Sequence, residues 1–331
     1  MSVMSQLISQ FPQQIVDWWN IASPDTIQPK DRPIHRVYIA GMWWSAIWWS
    51  LFADLYWEAL HIPLRVCRAY TLPAQANMYS LVVITSYSWN TEETVSMMLD
   101  AVQRGCHVVV ISSWWTLQSL AKQHACDFLQ LPAWIPPRAC MAVSFGVLLW
   151  LFKTLALLHD VNKQDIDLLK DFLLQHEDAI KKQAHTIAQK ISPDCIPIIY
   201  VDSHKESVAI RFRQQINENS KMLCRHHVFP EMNHNELLWR EWGDDRFLPI
   251  FLCSPNDHER VQLRMRLTQD FFDQKWVPYI VIDALWDTFI QNAMYLVYFT
   301  DWVSSYVADK KNIDAVNFEP IEIFKKRLGT V

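Results

Sequence analysis

The fold class of the chain is indicated by residues 81–94, which read LVVITSYSWNTEET. The first five residues form an apolar, β-branched run with the length of a buried strand, and the residues from Thr91 onward begin a helical pattern. Runs of the same kind occur at Val37–Ala40 and His107–Ile111, separated by stretches with helical spacing. Uninterrupted apolar runs that alternate with helices are typical of parallel strands covered on both faces. The N-terminal half is therefore predicted to be a doubly wound α/β layer.

The second half of the chain repeats this order after a long charged segment. From Asp165 to Ile191, apolar residues recur every three or four positions without a glycine, which predicts one long amphipathic helix. Strand-like runs then resume at Ile196–Val201, Phe247–Cys253 and Val277–Ile282, with helical patterns between them. A second α/β domain is predicted, which would make the chain a structural duplication of one α/β unit.

Length, charge and cysteine usage restrict the class of protein further. The 331 residues are enough for about two domains, and a net charge of −5 provides no positive field for nucleic acid or an anionic membrane surface. The seven cysteines lack CxxC spacing, which predicts reduced thiols and a cytoplasmic location. No secretory signal opens the sequence, and the apolar segment Cys140–Leu158 is interrupted by Lys153. This segment is predicted to be a core helix, not a membrane span.

Two junctions between a strand and a helix could hold an anion. Residues 86–94 offer hydroxyls and backbone amides where a helix dipole favours negative charge, so a phosphate would fit there. The alternative interpretation is simple capping of the helix by Ser88 or Thr91. A second junction at residues 41–47 ends another strand and supplies Ser45. Two such junctions on adjacent strands would converge on one ligand.

The sequence resembles a known family when glycine is read in place of tryptophan. Residues 41–49 then read GMGGSAIGG and residues 86–94 read SYSGNTEET, which resemble the phosphate-binding turns of the sugar isomerase (SIS) domain family. The resemblance continues, in the family's order, through residues 131–139 (LPAWIPPRA), 211–221 (RFRQQINENSK), 231–239 (EMNHNELLW) and 301–304 (DWVS). Together these segments resemble the bifunctional phosphoglucose/phosphomannose isomerases.

This resemblance implies an α/β chain of two SIS domains, each a parallel sheet flanked by helices in a three-layer sandwich. The expected divisions are an N-terminal domain at 1–155 with the phosphate-binding turns, a linking helix region at 156–192 and a C-terminal domain at 193–331. The active site would lie between the domains and be completed across a homodimer. The implied activity is a metal-independent and cofactor-free isomerisation of glucose 6-phosphate or mannose 6-phosphate to fructose 6-phosphate through a cis-enediol.

The resemblance also assigns roles to single residues. Glu218 matches the carboxylate that moves a proton between C1 and C2, and Arg138 matches the guanidinium beside the enediolate. His234 matches the ring-opening residue, assisted by Lys325, although the adjacent Lys326 is an alternative register. The residues implied in binding the phosphate and substrate are Trp44 through its amide, Ser45, Ser86, Ser88, Thr91 and Arg138.

Three alternatives compete with this assignment. A non-catalytic SIS module that senses sugar phosphates is disfavoured because Glu218, Arg138 and His234 occur together. Another isomerase or aminotransferase domain of the same fold is distinguished by the segments INENSK and MNHNEL. A zinc site is disfavoured because the spacing of the histidines fits no compact ligand motif. The histidines considered for it are His226, His227, His234 and His258.

The chain departs from the family in one respect, its tryptophans. It has 17 Trp and 5 Gly, whereas ordinary usage would give about 23 Gly. An indole disfavours the positive φ and the close backbone approach that glycine allows in phosphate-binding turns. We hypothesise that UGA codons meaning glycine were read here as tryptophan, and expect the printed chain to bind sugar phosphates weakly. The ten positions where the family pattern favours glycine are Trp43, Trp44, Trp48, Trp49, Trp89, Trp114, Trp115, Trp134, Trp239 and Trp286.

Overall fold

The computed structural model of the protein contains two compact units. It describes residues 2–21, 27, 32–42, 44–87, 91–113, 115–132, 139–159, 162–238, 246–284 and 286–328. The N-terminal unit comprises Gln10–Leu174, and the C-terminal unit comprises Met1–Ser9 together with Gln175–Val331. The division therefore falls inside the predicted linking region of residues 156–192.

Parallel strands form the centre of the N-terminal unit. The chain begins with α1 (Val3–Ser9), which belongs to the C-terminal unit. The elements of the N-terminal unit are α2 (Phe11–Ile21), β1 (Arg36–Ala40), α3 (Trp44–Leu55), β2 (Leu64–Cys67), β3 (Ser80–Ser86), α4 (Glu92–Gln103), β4 (His107–Ser112), α5 (Trp115–Gln123), β5 (Asp127–Gln130), α6 (Met141–Thr154) and α7 (Lys163–Gln175). Within the described residues, the strands pair in parallel in the order β2-β1-β3-β4-β5.

Both faces of this sheet are covered, which explains the uninterrupted apolar runs. One face packs Val82 and Ile84 of β3 against Met97 and Ala101 of α4. The alternate strand residues point to the other face, where α3 contacts β1, β2 and β3 and also packs on α6. The aromatic contacts between α3 and α6 involve Trp49, Phe52, Phe145 and Phe152.

A second parallel sheet forms the centre of the C-terminal unit. Its elements after α1 are α8 (Glu177–Lys190), β6 (Ile196–Asp202), α9 (Glu206–Asn219), β7 (Arg225–Phe229), β8 (Phe247–Cys253), α10 (Glu259–Gln274), β9 (Ile280–Asp283), α11 (Phe289–Lys310) and α12 (Glu319–Leu328). Within the described residues, these strands pair in parallel in the order β7-β6-β8-β9. One face packs Tyr200 and Phe251 against Met265 and Phe272 of α10, and α9 contacts β6 and β7 and packs on α11.

The two sheets have the same strand order. In each unit the second strand lies on one side of the first, and the third and fourth strands follow on the other side. The C-terminal sheet thus repeats the order of the first four strands of the N-terminal sheet. This agreement is the expected outcome of a duplicated α/β unit.

The prediction of one continuous helix over residues 165–191 is wrong, because the structure has two helices there. The structure divides it into α7 and α8 at His176, whose φ of −102° and ψ of 2° are not helical. The apolar spacing continues across the break because both helices are amphipathic, and α7 belongs to the N-terminal unit and α8 to the C-terminal unit. Leu173 is buried at the end of α7, and Ile180 is buried at the start of α8.

The strand predictions are confirmed for the buried strands. One predicted strand starts later than expected, and three strands at the edges of the sheets were not predicted. The runs at 37–40, 81–85, 107–111, 196–201 and 247–253 are all strands. The run at 277–282 becomes a strand only from Ile280. Strands β2, β5 and β7 were not predicted, because they are short and their partly exposed sequences include charged or histidine residues.

The apolar segment at residues 140–158 forms a core helix, as predicted. It contains α6, in which Leu148, Leu151 and Phe152 are buried. Among the described residues, none of the helices has the length and apolar character needed to cross a membrane.

Candidate active site

The N-terminal sheet reverses its strand order between β1 and β3. The chain leaves β1 towards β2 on one side and leaves β3 towards β4 on the other. Ligands of open α/β sheets bind at such a point, outside the carboxyl ends of the strands. Helix α3 begins four residues after β1, and α4 begins six residues after β3. Both helix N-termini therefore lie at this edge, where their dipoles favour an anion.

Side-chain hydroxyls join the strand ends at this edge. Thr85 Oγ1 donates to the carbonyl of Ala40 at 3.5 Å, which links β3 to β1. Ser112 Oγ donates to the carbonyl of Ser86 at 2.8 Å, and Ser113 Oγ donates to the carbonyl of Tyr87 at 3.1 Å. These bonds fix the positions from which the two predicted phosphate-binding turns start.

The predicted phosphate-binding residues fall partly within the described chain. Ser86 is the last residue of β3 and is buried, and Thr91 is the N-cap residue of α4. The Thr91 side chain makes no capping hydrogen bond to the helix, so the capping alternative is not supported at this residue. Trp44 and Ser45 begin α3, but their side chains lie outside the description. Ser88 and Arg138 lie outside the described residues.

Two of the ten unusual tryptophans lie beside this edge in the interior. Trp48 and Trp49 are buried in α3, and Trp49 Nε1 donates to Thr85 Oγ1 at 3.1 Å. A small cavity behind the edge is lined by Trp49, Ser86 and Tyr87, among others. The backbone at 48 and 49 is helical, so positive φ is not a reason for glycine at these two positions. Close packing of α3 against the sheet would be the remaining reason.

Glu218 lies in the last turn of α9, in the C-terminal unit. It is 9% exposed, and this burial is unusual for a carboxylate. Its backbone carbonyl accepts a hydrogen bond from the Lys221 ammonium. From the residues alone an Asn-Glu-Asn stretch indicates a helix end, and the helix does end at Asn219. The helix end is thus compatible with a buried carboxylate.

His234 is exposed on a short segment that is held on both sides. It ends the 3-10 helix Glu231–His234. The preceding Asn233 donates to Thr268 Oγ1 at 3.0 Å. The following Glu236 accepts a 2.9 Å hydrogen bond from the buried Tyr200 and lies 3.1 Å from the His227 ring. The imidazole is therefore presented outward from a segment with two fixed anchors.

Lys325 lies in α12, and its side chain and that of Lys326 are outside the description. The apolar residues Ile321, Phe324 and Leu328 of this helix are exposed on one face, at spacings of three and four.

The corresponding edge of the C-terminal sheet is filled by the protein itself. Between β6 and β8, the buried Lys205 ammonium forms an ion pair with the buried Asp257 carboxylate. Burial raises the pKa of Asp257, and the nearby Lys205 opposes this rise. Asp202 accepts from the backbone amide of His204 at 2.8 Å. An internal ion pair thus follows the two C-terminal strands that correspond in order to β1 and β3.

The histidines considered for a zinc site have separate partners. His226 hydrogen-bonds Glu206, and this bond is the main cause that lowers the pKa of the Glu206 carboxyl. His258 Nδ1 accepts from the backbone amide of Arg260 and caps α10. His227 contacts Glu236, whereas His234 is exposed. The rings of His226, His227 and His258 are therefore each held by a different neighbouring group.

Solved structures with this fold include several proteins that act on sugar phosphates. The chain matches a tagatose-6-phosphate ketose/aldose isomerase from Escherichia coli with a TM-score of 0.71 and 14% identity, over 95% of each chain. It matches a glucosamine-6-phosphate deaminase from Thermotoga maritima with a TM-score of 0.70 and 11% identity, over 94% of this chain and 96% of the other. Residues 180–328 match the model of the bacterial phospho-glucose isomerase C-terminal SIS domain. The architecture is that of the SIS-domain proteins.

Sequence relatives define the family more narrowly. A bifunctional phosphoglucose/phosphomannose isomerase from Caldicellulosiruptor bescii is 30% identical over 339 residues, which cover 99% of both chains. The protein of the same name from Aquifex aeolicus is 31% identical over 94% of both chains. The chain belongs to the family of bifunctional phosphoglucose/phosphomannose isomerases.

Proposed function

We propose that this protein interconverts glucose 6-phosphate or mannose 6-phosphate with fructose 6-phosphate through a cis-enediol. The proposal depends chiefly on its full-length similarity to isomerases of that name. The arrangement of the N-terminal sheet supports it, because the predicted phosphate turns follow β1 and β3 at the point where ligands of such sheets bind. The non-catalytic alternative is not favoured by these relatives.

The phosphate would be anchored by the N-terminal unit. Ser45, Ser86, Ser88 and Thr91 would supply hydroxyls, and the amide of residue 44 would supply a backbone donor. Anchoring the phosphate in this way fixes the reacting carbons beside the catalytic groups and replaces a bimolecular encounter with a positioned one. The internal ion pair at the corresponding edge of the C-terminal sheet leads us to expect one phosphate site per chain.

The proton transfer would be performed by Glu218. As a carboxylate it would remove the proton from C2 of the aldose and return it to C1 of the enediol, which forms the ketose. Removal of the proton places negative charge on the enediolate oxygen, and the permanent charge of Arg138 would stabilise it in the transition state. His234 and Lys325 would move the proton that opens the sugar ring. A base that reaches C2 in either configuration accounts for two aldose substrates.

We further propose a cytoplasmic homodimer. The apolar face of α12 is exposed on the single chain, and a second copy of the chain is the occupant that would cover it. All seven cysteines are free thiols, which agrees with a reducing compartment.

A coupled assay with purified substrates tests the proposed activity. Fructose 6-phosphate formation is measured from glucose 6-phosphate, mannose 6-phosphate and glucosamine 6-phosphate. The assay uses the printed chain and a chain with glycine at the ten tryptophan positions, termed the glycine chain. We expect the glycine chain to turn over the first two substrates but not the third, and the printed chain to be much slower. Saturable sugar-phosphate binding without turnover in both chains would favour a sensor instead.

A further inference from the structure

Two charged residues in the segments that identified the family have no role in the chemistry described so far. They are Arg211 of α9 and Asp301 of α11, which are separated by 90 positions in the sequence. In the structure they are partners: Arg211 Nε donates to Asp301 Oδ1 at 3.0 Å, and Nη2 donates to Oδ2 at 2.6 Å. Arg211 is 1% exposed and Asp301 is 2% exposed. The pair is therefore a two-point ion pair between two buried helix faces.

The network continues along α9 towards Glu218. Gln215 Nε2 donates to Asp301 Oδ1 at 2.9 Å. Asn219 Nδ2 donates to Gln215 Oε1 at 3.2 Å and to Ser304 Oγ at 3.0 Å. Arg211, Gln215 and Asn219 are spaced by four residues, so they form one polar stripe on α9. Every member of this stripe is hydrogen-bonded to α11 directly or through its neighbour.

The network is densest at the turn that contains Glu218. Ser220 Oγ donates to the Ser304 carbonyl at 2.8 Å, and Lys311 Nζ donates to the Ser220 carbonyl at 3.0 Å. On the other side, the Lys221 ammonium joins the Glu218 carbonyl to the Asn317 carbonyl, the latter at 2.6 Å. The backbone carbonyls of Glu218 and Ser220 are therefore linked to the end of α11 and the segment that follows it, and the Gln215 side chain links the preceding turn of α9 to α11.

A polar contact of this kind restricts the helix in a way that an apolar contact does not. Apolar side chains allow two helices to slide or rotate with little change in buried area, whereas a two-point ion pair has one preferred geometry. Because an apolar replacement of a buried ion pair often has similar stability, stability alone is a weak explanation for the pair. A rotation of α9 by about 20° would move an outer side-chain atom by about 2 Å, given a helix radius of about 5 Å. Misplacement of a catalytic group by about 1 Å can cost about 100-fold in rate.

We propose that Arg211, Asp301, Asn219 and Ser304 are positioning residues, which set the rotation of the last turn of α9 and so the location of the Glu218 carboxylate. The inference rests on the proposed role of Glu218 as the base. It assigns a function to Arg211 and to the segment 301–304, which are not among the residues predicted to carry the chemistry.

Adjacent serines on α11 provide a matched test. Ser304 and Ser305 are both fully buried, and each hydroxyl contacts one other helix. Ser304 Oγ accepts from Asn219 beside Glu218, whereas Ser305 Oγ is 3.1 Å from Ser5 Oγ of α1. Ser304→Ala and Ser305→Ala are made in the printed chain and in the glycine chain. The measurements are kcat and KM for fructose 6-phosphate, and hydrogen exchange of the peptide that covers residues 216–221.

The two variants are expected to differ in kcat and in amide exchange. Ser304→Ala should lower kcat about tenfold or more with KM within about twofold, and should speed amide exchange in residues 216–221. Ser305→Ala should leave kcat and the amide exchange of residues 216–221 near those of the parent chain. Equal kcat values for the two variants would overturn the positioning role. A glycine chain without isomerase activity would contradict the proposed function, and equal exchange in the two variants would then overturn the positioning inference independently.

Discussion

Replacement of Trp276 by glycine should stabilise the protein. Trp276 follows α10, has a φ of +58° and is 90% exposed. Its amide donates to the Asp273 carbonyl at 3.2 Å, and the next amide, of Val277, donates to the Phe272 carbonyl at 2.9 Å. These two bonds define a Schellman motif, in which the left-handed residue is usually glycine. Trp276 is not among the ten tryptophans noted in the sequence, and the structure adds it to the positions that favour glycine.

The expected gain is about 1 kcal/mol. An L-residue in the left-handed region costs roughly 1–2 kcal/mol, and glycine avoids most of this cost. The largely exposed indole buries only about 25 Å² of apolar surface, so its loss costs about 0.6 kcal/mol. Trp276→Ala removes the same indole but keeps the Cβ atom. The difference between the glycine and alanine variants therefore isolates the backbone contribution at about 1 kcal/mol.

The end of α4 has the same motif with glycine in the left-handed position. Gly105 has a φ of +67°, and its motif has the same two hydrogen bonds, from Gly105 to Val102 and from Cys106 to Ala101, both at 3.0 Å. An added Cβ at Gly105 would meet nothing within 4 Å, so the cost of Gly105→Ala, about 1 kcal/mol, is conformational. Urea unfolding followed by far-UV circular dichroism measures all three variants. Equal stability of Trp276→Gly and Trp276→Ala would refute the argument.

Three further changes test other parts of the structure. Asp257→Asn should lower the free energy of unfolding by about 3–5 kcal/mol in urea titrations, because the buried Lys205 ammonium loses its charged partner; an unchanged midpoint would contradict this. His234→Asn should reduce kcat for glucose 6-phosphate about 100-fold while leaving the melting temperature unchanged, since the ring is exposed; a large loss of stability would instead indicate a structural role. Because its hydrogen bond with His226 lowers the pKa of Glu206 from 4.5, this pair should stabilise the fold above about pH 4.5 and lose that effect as the pH falls through the lowered value. The stability gap between the parent and His226→Phe should therefore close in acid, and a gap that widens there would disprove the assigned sign.

Sequence patterns predicted the strands that are buried on both faces. β1, β3 and β4 appear as uninterrupted apolar runs because helices cover both sides of them. The edge strand β2 did not appear, because Arg65 at its centre is exposed and the strand has only four residues. His176 interrupts a helical pattern without a proline or glycine, so the break between α7 and α8 depends on packing within separate units and leaves no local signal.

The candidate site was predictable only in part. The hydroxyl-rich turn after β3 is visible as a pattern, whereas the role of Glu218 came from the family resemblance and not from its local sequence. The pairing of Arg211 with Asp301 joins residues 90 positions apart, and no periodicity connects them. The left-handed conformation of Trp276 has no sequence signal in a Lys-Trp-Val stretch, and becomes visible only through the hydrogen bonds at the helix end.

Isotope exchange in heavy water gives the most direct test of Glu218 as the isomerase base. Fructose 6-phosphate is incubated in D2O with the glycine chain or with its Glu218→Gln variant, and the aldose products are followed by proton NMR. The parent is expected to form glucose 6-phosphate and mannose 6-phosphate that carry deuterium at C2. The variant should still bind fructose 6-phosphate but should neither form aldose nor exchange the C1 proton. Deuterium incorporation by the variant at the rate of the parent would show that another group moves the proton.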